Sequence, residues 1–365
     1  MHMKQKISIL LLLALWGALA LGCWLLPKQE VSLSERRPLA QMPEITGDSV
    51  LSGKFAEKFE SYSLDQFPFR DSFRQIKSLF HYFVMGHKDN NGIYLAQGHA
   101  AKQEYPLNEA SLQNAMTKFQ HLYEKYLANC NIYMAVVPDK GYYLAQESGH
   151  LAMDYEKLLA VTRQEMPWAT HIDLTDCLTL DDYYRTDTHW RQENLLPVAQ
   201  KVTQALGMPA PRKEDYTIQT VDRPFYGVYY GQAALPMEPD DLVYLDNEIL
   251  AQCSVYDFET GKNGHIYDLE KGETARDPYD LFLSGSKSLL RVENPNAQTD
   301  RELVIFRDSF GSSLAPLLIS DYAAVTLVDI RYIRIDTLER FLAFDDQDVL
   351  LLYSALVLNY SNSIQ

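Results

Sequence analysis

Two short stretches, far apart in the chain, carry the residue types of acyl-transfer chemistry. One is Thr186-Asp187-Thr188-His189-Trp190; the other is Arg307-Asp308-Ser309-Phe310-Gly311-Ser312-Ser313. A serine hydroxyl becomes a useful nucleophile when a base takes its proton, and histidine is the usual base near neutral pH. The histidine needs a carboxylate that fixes its tautomer and stabilises the imidazolium. Asp187 and His189 supply orienter and base from one polar loop, and Ser309 supplies the hydroxyl. Both stretches have ordinary readings as well. Asp and Ser are preferred helix N-caps, and a loop histidine is often simply solvated. A metal site would want further ligands near Asp187 and His189. The remaining histidines are scattered, with no His-x-x-x-His and no Cys-x-x-Cys, so no metal is expected.

The elements that must position these residues follow from hydrophobic periodicity. Leu303-Val304-Ile305-Phe306 is an apolar run that reads as a buried strand leading directly into Ser309, followed by a helix over 310–318. In open α/β sheets, ligands bind outside the carboxyl ends of strands. A serine at that tight turn lies near a helix N-terminus, whose N–H groups suit an oxyanion. Ile132 to Val137, closed by Pro138, is a second buried strand. Helices are expected at 107–127, 152–165, 195–206 and near 336–342, with strands at 93–95, 171–174, 324–328 and 349–353. This alternation implies a parallel sheet covered on both faces. Residues 209–300 differ: short strand-like pieces separated by turns suggest a β-rich insertion. From Leu51 to Met85 the apolar residues recur at helical spacing, with a break near Pro68, and predict helices packed on the core.

The N-terminus stands apart. Lys4 and Lys6 precede an uncharged, almost wholly apolar run from Ile7 to Pro27, long enough to cross a bilayer. The flanking lysines favour a cytoplasmic N-terminus. The expected organisation is a signal-anchor at 1–28, a polar stalk at 29–50 and one domain at 51–365, outside the cytoplasm at the cell membrane. A lipoprotein site at Leu21-Gly22-Cys23 and a cleaved signal peptide are the competing readings. Beyond Cys23, the cysteines 130, 177 and 253 are far apart, so one bridge at most is expected and its pair is open. The net charge of −16 argues against nucleic acid as a partner.

Taken together, Asp187-x-His189-Trp190 followed far downstream by strand-Asp308-Ser309-Phe310 resembles the DHHW family of bacterial surface proteins. More remotely it resembles the SGNH-like alginate O-acetyltransferases. Asp65-Gln66-Phe67-Pro68-Phe69-Arg70, Val137-Pro138-Asp139-Lys140, Phe225-Tyr226-Gly227, Tyr279-Asp280-Leu281-Phe282-Leu283, Val328-Asp329-Ile330-Arg331-Tyr332 and Leu350-Leu351-Leu352-Tyr353-Ser354 are similar to family segments in the same order. Thr188 stands where the family's name has a second histidine, and Glu193-Asn194 replace a small pair after the motif.

The resemblance implies an α/β, SGNH-hydrolase-like three-layer sandwich. Its motif order is circularly permuted, acid and base first and nucleophile last, which triad geometry allows. It implies catalysis by Ser309, His189 and Asp187 without a cofactor. The oxyanion donors would be the backbone of Ser309 and, with glycine allowing close approach, Gly227. Arg331, Tyr332, Lys140 and Trp190 are candidate substrate contacts. The implied activity is that of a serine esterase or O-acetyltransferase on cell-surface or secreted polysaccharide, served by a membrane-bound O-acyltransferase. The alternative is a non-catalytic component that binds glycan or assembles an envelope complex.

Overall fold

The computed structural model describes residues 3–32 and 34–365. Its contacts fall into two compact units, residues 1–91 with 230–236, and residues 92–229 with 237–365.

The second unit is built on an eight-stranded sheet. Its strands, in chain order, are β1 (Asn131–Val137), β2 (Thr170–Ile172), β3 (Ser254–Asp257), β4 (Lys262–Gly264), β5 (Leu289–Glu293), β6 (Glu302–Arg307), β7 (Ala324–Val328) and β8 (Asp348–Ser354). Their spatial order is β4-β3-β5-β7-β6-β8-β1-β2. The run from β7 to β2 is parallel, while β5, β3 and β4 extend one edge antiparallel. Three strands from the β-rich stretch thus join the main sheet. Two others, Thr217–Phe225 and Asp240–Asp246, form a separate antiparallel pair.

The central strands read as unbroken apolar runs because both faces are covered. Ala135, Val137, Leu303, Ile305, Leu350 and Leu352 face one cluster, with Val198, Ala199 and Val202 from helix 196–205. Met134, Val136, Val304, Phe306 and Leu351 face the other, with Leu112, Ala115 and Phe119 from helix 109–122 and Leu158 from helix 155–165. This is the three-layer α/β sandwich of the SGNH-like type. Phe306 is fully buried; its truncation to alanine would cost roughly 3–5 kcal/mol.

The first unit contains α1 (Met3–Leu25), α2 (Lys54–Asp65) and α3 (Arg70–Leu79). The apolar helix α1 has the length and composition to cross a membrane. The stretch read as a stalk folds back onto α2. Arg37 forms a bidentate pair with Asp65, at 2.6 and 2.8 Å, and Gln66 bonds both Gln29 and Ala40. The break at Pro68 separates α2 from α3, with Phe69 in the left-handed region at φ 56°.

The sequence predicts that the apolar side of 51–85 packs on a core, and the structure corrects this. In α3 it is the polar side that is used. Arg74 donates to Gly231 O at 2.8 Å, and buried Ser78 accepts from Asn90 Nδ2 at 2.7 Å. Phe73, Ile76 and Phe80 remain exposed.

Candidate active site

Ser309 follows β6 at the carboxyl end of the parallel strands, and the turn is fixed by its neighbour. Asp308 is buried; its Oδ1 accepts the Phe310 N–H at 3.0 Å and its Oδ2 accepts the Ser354 N–H at 2.8 Å, tying the turn to the end of β8. The 310–314 segment is a short helix continued by a 3-10 turn at 315–318.

The loop carrying Asp187 and His189 is held from several sides. The carboxylate of Asp240 accepts from Arg185 N, Thr186 N and Thr186 Oγ1, at 2.9, 2.9 and 2.6 Å. Lys140 Nζ, fully buried, donates to the carbonyls of Tyr184 and Arg185 at 2.9 and 3.3 Å. Burial lowers the Lys140 ammonium to about 7, against partial compensation from Asp187, Asp240 and Asp139.

Within this frame three side chains converge. Asp187 Oδ1 lies 2.6 Å from His189 Nδ1, and His189 Nε2 lies 2.7 Å from Ser309 Oγ. Asp187 is fully buried and also accepts the N–H groups of His189 and Val228, at 3.1 and 2.7 Å. A carboxylate in that position makes Nδ1 the protonated ring nitrogen and leaves Nε2 as acceptor for the serine hydroxyl. Tyr279 stacks on the imidazole, and its hydroxyl shares a 2.8 Å bond with Ser313 Oγ. The arrangement can move a proton from Ser309 Oγ to His189 with no group displaced, because both distances already lie within hydrogen-bond range.

The other predicted residues have different surroundings. Trp190 is fully buried, donating its indole N–H to Ser313 Oγ at 2.8 Å and Phe310 O at 3.2 Å. It welds the histidine loop to the serine turn and offers no face to a sugar. Lys140 is likewise spent on backbone carbonyls. Arg331 grips Asp329 through two bonds, of 2.9 and 2.6 Å, with Tyr332 exposed beneath its guanidinium; this is an Arg–Asp pair at the end of β7. The Gly227 N–H donates to Thr186 Oγ1 at 2.9 Å, so that donor is engaged inside the wall rather than turned to a reacting oxygen. A Cβ at Gly227 would overlap the Cβ of Asp187 and the carbonyl oxygen of Thr186. Its glycine is required by the close approach of two loops. All four cysteines are free, and among the described residues no cluster of three or more His, Cys, Asp or Glu is arranged to hold a metal ion.

Sequence reasoning missed Tyr279, Gln192, Asp240 and Ser313. Tyr279 lay inside a recognised segment, and that was its only signal. Gln192 joins the site to the separate strand pair, donating to Ser313 O at 2.8 Å and accepting from Leu245 N at 2.9 Å.

No family profile matches the chain, and no curated protein does. Solved structures do. A DHHW family protein from Eubacterium siraeum is 22% identical, covering 75% of this chain and 94% of that one at a TM-score of 0.62. Bacillus cereus PatB1 is 18% identical, covering 73% of this chain and 96% of its own at 0.60. It has also been solved with a sulfonyl adduct, which matches at 17% identity and 0.58, covering 73% and 95%. The O-acetyltransferase domain of Pseudomonas putida AlgJ is 14% identical, covering 73% of this chain and 92% of that one, at 0.44. The chain thus shares the SGNH-like fold of the DHHW family protein and of PatB1.

Proposed function

We propose that the chain is an extracytoplasmic serine esterase or O-acetyltransferase that acts on cell-surface or secreted polysaccharide through an acyl-serine intermediate. The observation that carries this reading is the 2.7 Å contact between His189 Nε2 and Ser309 Oγ. The buried Asp187 behind the imidazole, the resemblance to the DHHW and alginate O-acetyltransferase families, and the fold shared with PatB1, which has been captured with a sulfonyl adduct, support it.

In this mechanism His189 Nε2 takes the Ser309 hydroxyl proton as Oγ attacks the acetyl carbonyl. Asp187 stabilises the imidazolium, and the Ser309 N–H is the first oxyanion donor. The tetrahedral intermediate collapses, and the departing oxygen receives the proton from His189. An incoming sugar hydroxyl, or water, then gives its proton to His189 and attacks the acyl-serine. Collapse transfers the acetyl group and returns the proton to Ser309. No cofactor takes part. Helix α1 anchors the chain in the membrane, with Lys4 and Lys6 on the cytoplasmic side, and a membrane-bound O-acyltransferase supplies the acyl group.

The test is covalent labelling of the full chain in detergent with a fluorophosphonate. Wild type should label and Ser309→Ala should not. A folded wild type that neither labels nor cleaves an activated acetyl ester would leave the glycan-binding role as the better account. Hydrolase and transferase are separated by acetyl transfer to a sugar acceptor measured against water.

A further inference from the structure

Helix α3 is amphipathic the wrong way round for a soluble unit. Its polar side faces inward: Arg74 reaches Gly231 O and Glu35, and Ser78 is buried against Asn90. Its apolar side faces out. Phe73, Ile76, Phe80 and Phe83 recur at i, i+3, i+7 and i+10, from α3 into the wider turn 80–84 that continues it. Their exposures are 45, 62, 50 and 64%, and Phe69, Leu64 and Val84 nearby stand at 71, 65 and 68%. Scattered exposed apolar residues are ordinary; a continuous stripe of large ones marks a surface that something covers.

Two observations identify what covers it. The stripe belongs to the same compact unit as α1. The carboxyl end of α1 is seated on the turn between α2 and α3: a Cβ added at Gly22 would lie 2.9 Å from Pro68 Cγ. Lys28 at the helix exit stands over the Tyr62 ring of α2 at 5.5 Å. A helix starting at that turn begins where the membrane helix leaves the bilayer. The second observation is charge. Lys77 and Lys88 are the exposed cations of residues 70–88, while Arg70 and Arg74 are held by Glu35 and Asp71. Local positive charge beside an apolar stripe is the pattern of a helix lying in a lipid interface.

We propose that α3 and the turn 80–84 lie along the bilayer surface, with Phe73, Ile76, Phe80 and Phe83 among the outer acyl chains, so that the unit is held at two points rather than hung from one helix. This rests on the reading of α1 as a membrane anchor. An interfacial helix fixed to the exit of α1 restricts the tilt and rotation of the first unit, which a single-pass anchor alone leaves free.

The test uses the full chain reconstituted into vesicles of phosphatidylcholine and phosphatidylglycerol that contain a lipid with a photoactivatable acyl chain. Adduct positions are read by mass spectrometry. Adducts are expected on α1 and on the stripe, with exposed Ile218 and Tyr360 as the background. The double variant Ile76→Asp/Phe80→Asp changes only exposed side chains; it should keep the circular dichroism and the α1 adducts of wild type and lose at least tenfold at the stripe. Labelling of α1 with the stripe at background overturns the proposal and leaves the anchor standing. Labelling of neither overturns both. Cross-links from stripe to stripe between copies, in place of lipid adducts, also overturn it, in favour of a dimer.

Discussion

Tyr279 lies flat against His189, with ring centroids 3.9 Å apart and planes 9° from parallel. The imidazole is therefore fixed on three sides: Asp187 at Nδ1, Ser309 at Nε2 and a tyrosine across its face. A flat aromatic contact holds the ring plane in which both hydrogen bonds are made. Tyr279→Phe keeps the stack and loses only the bond to Ser313. It should keep activity within a few-fold and cost about 1 kcal/mol of stability. Tyr279→Leu should lower kcat/KM by about tenfold or more, because roughly 1–2 kcal/mol of ring positioning is lost. Steady-state kinetics on an activated acetyl ester, with urea denaturation alongside, separates the two effects.

Ser309 and His189 should behave as one unit. Ser309→Ala and His189→Ala are each expected to reduce kcat by about 10³-fold or more, with the double variant little worse than either. Asp187→Asn should also be strongly impaired, since an amide favours the wrong tautomer. Ser309 lies partly exposed at a turn, so Ser309→Ala should unfold within about 0.5 kcal/mol of wild type. Ester hydrolysis that survives Ser309→Ala would mean that another residue is the nucleophile.

Lys140 gives the protein a pH-dependent stability with a defined sign. Its folded value, lowered to about 7 by burial, lies below that of the unfolded chain. The unfolded state then binds more protons above that pH, so stability rises as pH increases from about 7 toward 10, by a few kcal/mol. Lys140→Met should flatten that rise in chemical denaturation curves. It should also leave the Tyr184 and Arg185 carbonyls without their donor, costing about 1–3 kcal/mol and loosening the loop that carries Asp187. Lys140→Met with an unchanged pH slope would remove the assignment.

Gly227→Ala should be severe although only a methyl is added. The new Cβ meets backbone and Cβ atoms of the Asp187 loop, which have no flexible end to give way. A stability loss of about 2 kcal/mol or more is expected, and activity should fall by at least about 100-fold from misplacement of Asp187. Gly264→Ala, where the added atom meets nothing within 4 Å, should be neutral in thermal denaturation and in rate.

The sequence by itself determined the strands, because a strand buried on both faces must be apolar throughout, and Leu303 to Phe306 and Val349 to Tyr353 could be read from composition alone. It also determined which residue types could do chemistry: an Asp-x-His pair in one loop and a serine at a strand end are legible one-dimensionally. Only the tertiary structure decided that these two stretches, 120 positions apart, meet at 2.7 Å. It alone decided the fates of Trp190, Lys140, Arg331 and Gly227, since a polar side chain reads the same in sequence whether it faces a ligand or a carbonyl. Tyr279 could not be found because stacking depends on ring orientation, which no spacing encodes. The face of α3 shows the same limit. Periodicity reveals that Phe73, Ile76 and Phe80 share a side, but which side a helix turns outward is settled by what its other side can satisfy. Here Arg74 and Ser78 find their partners within the first unit, and the apolar face is left outside.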